Sequence, residues 1–145
     1  MYIGKISEPT EELHLAMQSL IPQLGQHKIP PTREEITRLL NTEGAALLVA
    51  RHPDENGEIV GILSLTIYRV PTGARSIVED IVVDQKHRRL GIGEALVRQA
   101  IDLARAAGAN GVSLTSNPGR EAANQLYLAM GFELRKTNPY FYKLK

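Results

Sequence analysis

The stretch VEDIVVDQKHRRLGIGEAL, Val78 to Leu96, decides how this chain is read. Ile77 to Val83 has the length and β-branched content of a buried strand, interrupted only by Glu79 and Asp80. A basic turn, Lys86-His87-Arg88-Arg89, follows it, then Gly91-Ile92-Gly93 and the start of a helix. Where a strand runs into a glycine turn and a helix begins, backbone N–H groups and the positive end of the helix dipole converge on one point. That point is an anion cradle, and arginines beside it favour phosphate. Glycines at 91 and 93 let the backbone approach a ligand closely and take φ values that a Cβ resists.

Working outward, the helix spans Gly91 to Ala107. Leu96, Val97, Ala100, Ile101 and Ala104 keep one apolar face, Glu94, Arg98, Asp102 and Arg105 pair along another, and Gly108 is its C-cap. A strand at Val112–Thr115, a helix from Gly119 to Met130, a strand beginning at Gly131-Phe132 and a closing strand at Tyr140–Leu144 complete the C-terminal half. Before the central stretch, Arg75–Val83 is the third strand of a meander whose first two are Ala45–Arg51 and Ile59–Val70, with turns at Pro53–Gly57 and Pro71–Gly73. Earlier still, Met1–Ile6 reads as an edge strand. A helix capped by Thr10 runs until Pro22, and Thr32 with Glu35 forms a capping box for a second helix through Leu40. The order is that of a mixed α/β sheet, in which Ile77–Val83 and Val112–Thr115 are parallel neighbours joined by a crossover helix. Ligands enter such sheets beyond the carboxyl ends of strands, next to helix N-termini.

Composition narrows the function. With 145 residues the expectation is one domain with one core, and such a chain buries roughly two thirds of its unfolded surface. A net charge of +1 argues against a general nucleic-acid binder, so the basic run at 86–89 is a local device. There is no cysteine, hence no disulfide framework, thiolate metal site or thiol nucleophile, and the four histidines show no ligand spacing. The longest apolar run, Ala45–Ala50, is too short for a bilayer, and the N-terminus lacks a signal pattern. The expectation is a cytoplasmic protein with neither membrane nor nucleic acid as a partner.

Two familiar phosphate loops do not fit. The dinucleotide fingerprint needs G-x-G-x-x-G directly after its strand, but Leu96 stands in the third glycine's place and seven residues separate Val83 from Gly91. The G-x-x-x-x-G-K-[ST] loop is absent. What remains, R-x-x-G-x-G from Arg88 to Gly93 behind a hydrophobic strand, resembles the coenzyme A signature of the GCN5-related N-acetyltransferases, the GNAT family. The conjunction is specific: Ile81-Val82-Val83, then Arg88–Gly93, then Asn124, Tyr127 and Gly131-Phe132, in that order. It covers the second half of the chain by motif and the first half by element order alone.

The resemblance implies a single N-acetyltransferase domain over residues 1–145 with the GNAT acyl-CoA N-acyltransferase fold. This is an α/β (α+β) architecture: a mixed, mostly antiparallel sheet with a parallel central pair and helices on both faces. It implies acetyl-CoA as cosubstrate and no metal. The backbone of Ile81, Val82 and Val83 would pair with the pantetheine arm as an added strand would. The loop Arg88, Arg89, Leu90, Gly91, Ile92, Gly93 and Glu94 would hold the pyrophosphate on its N–H groups. In the family, the tyrosine before Gly-Phe, here Tyr127, lies near the thioester sulfur as general acid. Many members carry an asparagine seven residues before it, where this chain has Arg120, so Asn117 and Asn124 are both candidates for the pantetheine amides. On its helix, Tyr127 shares a face with Arg120 and Asn124, which turns it towards a polar environment; the competing reading is a tyrosine at the rim of the core.

The chemistry follows from the reaction. An amine with a pKa near that of lysine is neutral only about once in a few thousand molecules at pH 7, so a base, direct or through water, must remove its proton. A backbone N–H then steadies the oxyanion and a weak acid protonates the leaving thiolate. Glu79 and Asp80 are the candidate bases. Successive strand residues face opposite sides, so only one faces the site unless a bulge breaks the alternation, and a buried carboxylate with a raised pKa would suit the task. The competing reading pairs one carboxylate with a basic side chain and leaves the other in solvent. The acceptor is a primary amine of a small molecule or a peptide. The alternative is a non-catalytic acyl-CoA sensor or partner-binding module on the same fold. Family members often pack their final strands across a homodimer.

Overall fold

Five strands, β1 Tyr2–Ile6, β2 Ala45–His52, β3 Glu58–Val70, β4 Gly73–Val83 and β5 Val112–Ser113, lie in sequence order in one sheet. The computed structural model describes residues 1–145 throughout. The first four strands are antiparallel, and β5 runs parallel to β4 after the crossover helix α3, Ile92–Ala106. This is the mixed sheet, with its parallel pair, that the element order implies. The chain forms two compact units, Met1–Thr115 and Ser116–Lys145.

Local chemistry sets the helix starts. Helix α1, Glu11–Leu20, begins where the Thr10 hydroxyl accepts the Leu13 N–H at 3.1 Å, and it gives way to a tight 3-10 turn, Ile21–Leu24, containing Pro22. Helix α2, Arg33–Leu40, opens with the full capping box: the Thr32 hydroxyl accepts the Glu35 N–H and the Glu35 carboxylate accepts the Thr32 N–H.

The strand alternation divides the core. Leu13, Met17 and Leu20 of α1 and Ile36 of α2 pack with Leu47, Val49, Ile59, Ile62 and Val82 on one face. The intervening residues turn to the other face, where Leu96, Val97, Ala100 and Ala104 of α3 are buried. Gly61 sets how closely α3 can lie, since a Cβ there would stand 3.3 Å from Leu96 Cδ1 and 3.5 Å from the Ala50 Cβ. Each fully buried Leu or Ile contributes about 1.5–3 kcal/mol.

Strand β5 is shorter than its apolar residues suggest. It ends at Ser113 and pairs only Val112 with Ser76 and Ser113 with Ile77. The buried Ser76 hydroxyl secures its approach by donating to the Gly111 carbonyl at 2.7 Å. From Val78 onward, therefore, the β5 side of β4 carries no ladder.

In the C-terminal unit, α4 spans Glu121–Ala129, starting two residues later than the sequence suggests. Gly131, at φ 103, ends it: its N–H donates to the Leu128 carbonyl, and that of Phe132 to the Tyr127 carbonyl. The strands anticipated from Gly131-Phe132 and over Tyr140–Leu144 do not form, and Tyr140, Phe141 and Tyr142 are 90%, 91% and 86% exposed. Alternating aromatics supply β propensity, but a strand needs a partner. Pro139 removes one donor, and this unit contains no other strand.

Candidate active site

The turn between β4 and α3 is built to leave its donors free. Arg88 Nε donates back to the Val83 carbonyl at 3.1 Å, folding the chain over the end of β4. Arg89 and Gly91 both take left-handed backbone conformations, at φ 65 and φ 79. Ile92, buried, then seats the first turn of α3. No N–H from Arg88 to Glu94 donates to a protein acceptor, and the first intrahelical bond is Ala95 N–H to Gly91 carbonyl at 3.0 Å. An uninterrupted run of backbone donors thus surrounds the positive end of a helix dipole. Nothing lies within 4 Å of where a Gly91 Cβ would stand, and Lys86, Arg88, Arg89 and Leu90 are exposed around it.

Upstream, β4 carries a bulge. Ile62 pairs with Val82 and Ser64 with Glu79, so Asp80 and Ile81 together oppose Leu63, and Asp80 adopts φ 50. The bulge moves the strand's facing by one. Val78 shares the side of its partner Leu65, whereas Val82 shares that of Ile62 beneath α1 and α2. Without the extra residue, Asp80 would follow Val78 into the core; with it, Glu79 and Asp80 are both exposed. The buried, desolvated carboxylate that the alternation allowed for is absent, and neither side chain forms an ion pair. Ile81 and Val83 are half-buried and Val82 buried, on the stretch whose β5 side is unpaired.

Between strand and turn lies a network that the sequence did not announce. Asp84 Oδ2 lies 3.0 Å from His87 Nδ1, and Asp84 Oδ1 accepts from Gln23 Nε2 at 3.2 Å. The Gln23 side-chain oxygen accepts the Gln85 N–H at 2.9 Å, and the His87 ring meets His52 edge-on at 5.2 Å. Burial raises the Asp84 pKa, but the hydrogen bonds from Gln23 and His87 outweigh it and hold the carboxyl below its ordinary range. The basic run therefore divides: His87 turns inward to Asp84, while its neighbours face solvent. Gln23 gave no signal because its partners lie far along the chain.

In the C-terminal unit, Asn117 and Asn124 serve the start of α4. The Asn117 side-chain oxygen accepts the Gly119 N–H at 2.9 Å, and Asn124 Nδ2 donates to the Asn117 carbonyl at 3.1 Å. Arg120 is the N-cap residue and supplies no side-chain cap. Tyr127 follows the rim-of-core reading rather than the polar one: it is buried, 8% exposed, with its ring edge-on to Phe132 at 5.8 Å, while Leu128 is exposed. Its hydroxyl makes no hydrogen bond in the protein, and burial pushes the phenol above the usual tyrosine range, against a smaller lowering by Arg120.

Free backbone donors, a left-handed glycine with open space at its Cα and nearby cations suit a pyrophosphate, and an unpaired strand edge suits an amide-bearing chain. No three His, Cys, Asp or Glu side chains are grouped to hold a metal ion, and no helix is long and apolar enough to cross a membrane. A mixed sheet opening beside its parallel pair, with a donor-rich helix start at the opening, is the frame of an acyl-CoA-dependent transferase fold.

The chain belongs to the acetyltransferase (GNAT) family, whose model matches residues 12–132. It is 35% identical over 133 residues to N-acetyltransferase 8B of Rattus norvegicus, an alignment covering 84% of this chain and 59% of that protein. It spans less than two thirds of the length of the curated relatives it matches. An acetyltransferase of Trypanosoma brucei superposes with a TM-score of 0.77 at 26% identity, over 98% of this chain and 99% of that one. An aminoglycoside acetyltransferase from an uncultured soil metagenomic sample, solved with sisomicin, shares the fold with a TM-score of 0.85 at 19% identity, over 99% and 96% of the two chains.

Proposed function

We propose that residues 1–145 act as one N-acetyltransferase domain, moving an acetyl group from acetyl-CoA to a primary amine of a small molecule or peptide by direct attack, with both substrates bound. The observation that carries this reading is the run of unpartnered N–H groups from Arg88 to Glu94, directly beyond a stretch of β4 with one open edge. Acetyl-CoA supplies the activated thioester. The amides of Arg89 to Glu94 bind its pyrophosphate, and Arg88, already tied to Val83, adds charge at the turn. Ile81, Val82 and Val83 offer their free edge to the pantetheine amides. Asn117 keeps its side-chain NH2 unused, and Asn124 its side-chain oxygen and second N–H, for the same arm.

Glu79 and Asp80, brought to the surface by the bulge, are the carboxylates that take the ammonium proton, directly or through water. Tyr127 is the acid for the leaving thiolate: it precedes Gly131-Phe132 as the family's acid does, and a phenol is protonated at neutral pH, the more so with burial pushing it further up. No covalent enzyme intermediate is needed. The test is calorimetric titration with acetyl-CoA and then with coenzyme A, followed by thiol release across a panel of primary amines. Micromolar-range binding with turnover of at least one amine is expected. Failure to bind either nucleotide would overturn the reading, and binding without turnover of any amine would leave a sensor in its place.

A further inference from the structure

The segment entering the donor-rich turn is held by a residue from the other end of the sheet's helical cover. Gln23, in the 3-10 turn after α1, uses both ends of one side-chain amide: Nε2 donates to Asp84 Oδ1 at 3.2 Å and Oε1 accepts the Gln85 N–H at 2.9 Å. The same Nε2 also reaches the Ser19 carbonyl at 3.2 Å, which fixes the amide's orientation from within α1. Asp84 is held in turn by its own N–H to the Val60 carbonyl at 2.8 Å and by His87, whose ring rests against His52. Three separate elements thus converge on Asp84 and Gln85, immediately before the Arg88–Glu94 donors. Neither Gln23 nor Asp84 belongs to that run.

A side chain that satisfies two groups at once, a carboxylate and a backbone N–H on adjacent residues, defines position and direction together. We infer that Gln23 and Asp84 form a latch that positions the pyrophosphate-binding turn, and that acetyl-CoA affinity depends on this latch although neither residue contacts the cosubstrate. The inference rests on the acetyl-CoA reading above and adds positioning residues to it. Because the latch starts in the turn that follows α1, it also ties the first helical segment to the cosubstrate loop.

The test is a double-mutant cycle on the full chain. Acetyl-CoA affinity is measured by calorimetry for the native protein, Gln23→Ala, Asp84→Ala and the double variant, with melting temperatures alongside. Each single variant is expected to bind about three- to tenfold more weakly, and the double variant by clearly less than the product of the two losses, since the bond between Gln23 and Asp84 is lost in both. Gln23→Glu supplies a second readout. Facing Asp84 and close to His87, its carboxylate weakens binding at neutral pH; as the pH falls and it protonates, it can donate to Asp84 as the amide does. Its affinity relative to the native protein at the same pH should therefore recover on acidification. Native-strength binding by both single variants, or a double variant showing the full product of the two losses, would overturn the latch while leaving the acetyl-CoA reading intact. A native protein that binds no acetyl-CoA would overturn that reading and the latch with it.

Discussion

Tyr127 and Gly91 carry two separate proposed roles, proton donation and phosphate binding, and each can be tested alone. The Tyr127 phenol is protonated at neutral pH like any tyrosine, burial pushes its pKa further up, and no protein group competes for its hydrogen. Tyr127→Phe should therefore lower turnover by about 10²-fold while leaving acetyl-CoA affinity nearly unchanged, as steady-state kinetics and calorimetry would show. Collapsed affinity with intact turnover of the bound cosubstrate would remove the acid from its role. Gly91→Val should do the opposite. A β-branched side chain at φ 79 costs about 1–2 kcal/mol in the backbone and projects into the open space beside the donors. Acetyl-CoA affinity should fall by at least about tenfold; native-strength binding would refute the cradle.

At the scale of elements, β5 depends on few bonds, and one of them comes from a buried hydroxyl. Ser76→Ala removes the 2.7 Å bond to the Gly111 carbonyl, which is exposed enough to turn to water, and should destabilise the fold by about 0.5–1.5 kcal/mol in denaturant titration. The β4–turn–α3 unit was legible in the sequence because its signals are local: an apolar run, two glycines and a helical apolar face. The bulge at Asp80 was not legible, because it exists only in the pairing with β3, and it brought both carboxylates to the surface where alternation allowed one. Tyr127 was placed on a polar face by helical spacing, yet the turn made by Gly131 brings Phe132 against its ring and contributes to its burial. The Gln23 latch escaped because glutamine carries no pattern, and the C-terminal aromatics misled because propensity cannot supply a partner strand.

Across the whole molecule, acid sensitivity follows from carboxylates that join separate elements or cap a helix. Hydrogen bonding to Arg33 lowers the pKa of Glu11 and bonding to Arg51 lowers that of Glu12; the Thr32 backbone and hydroxyl do the same for Glu35. Arg51 grips both oxygens of Glu12 at 2.8 Å and so joins α1 to β2. A carboxylate whose folded pKa lies below its unfolded value stabilises the fold above that unfolded value, about 4.3 for glutamate, and loses the contribution as pH falls through the folded one. Melting temperature should be level near neutrality and drop below that range, with a shallower drop for Glu12→Gln. Equal slopes for the two proteins would exclude the pair as a source of the dependence.

The free amides between Arg88 and Glu94 have a further consequence. A lysine or arginine that grips a phosphate must first freeze its rotamers, and binding bears that entropy each time. Main-chain donors have no rotamers, so their ordering was completed when the polypeptide folded. Under the proposed function, affinity for the phosphate would in this sense be a property of the folded scaffold, and a change that lets the end of β4 fluctuate should weaken binding before it unfolds the protein.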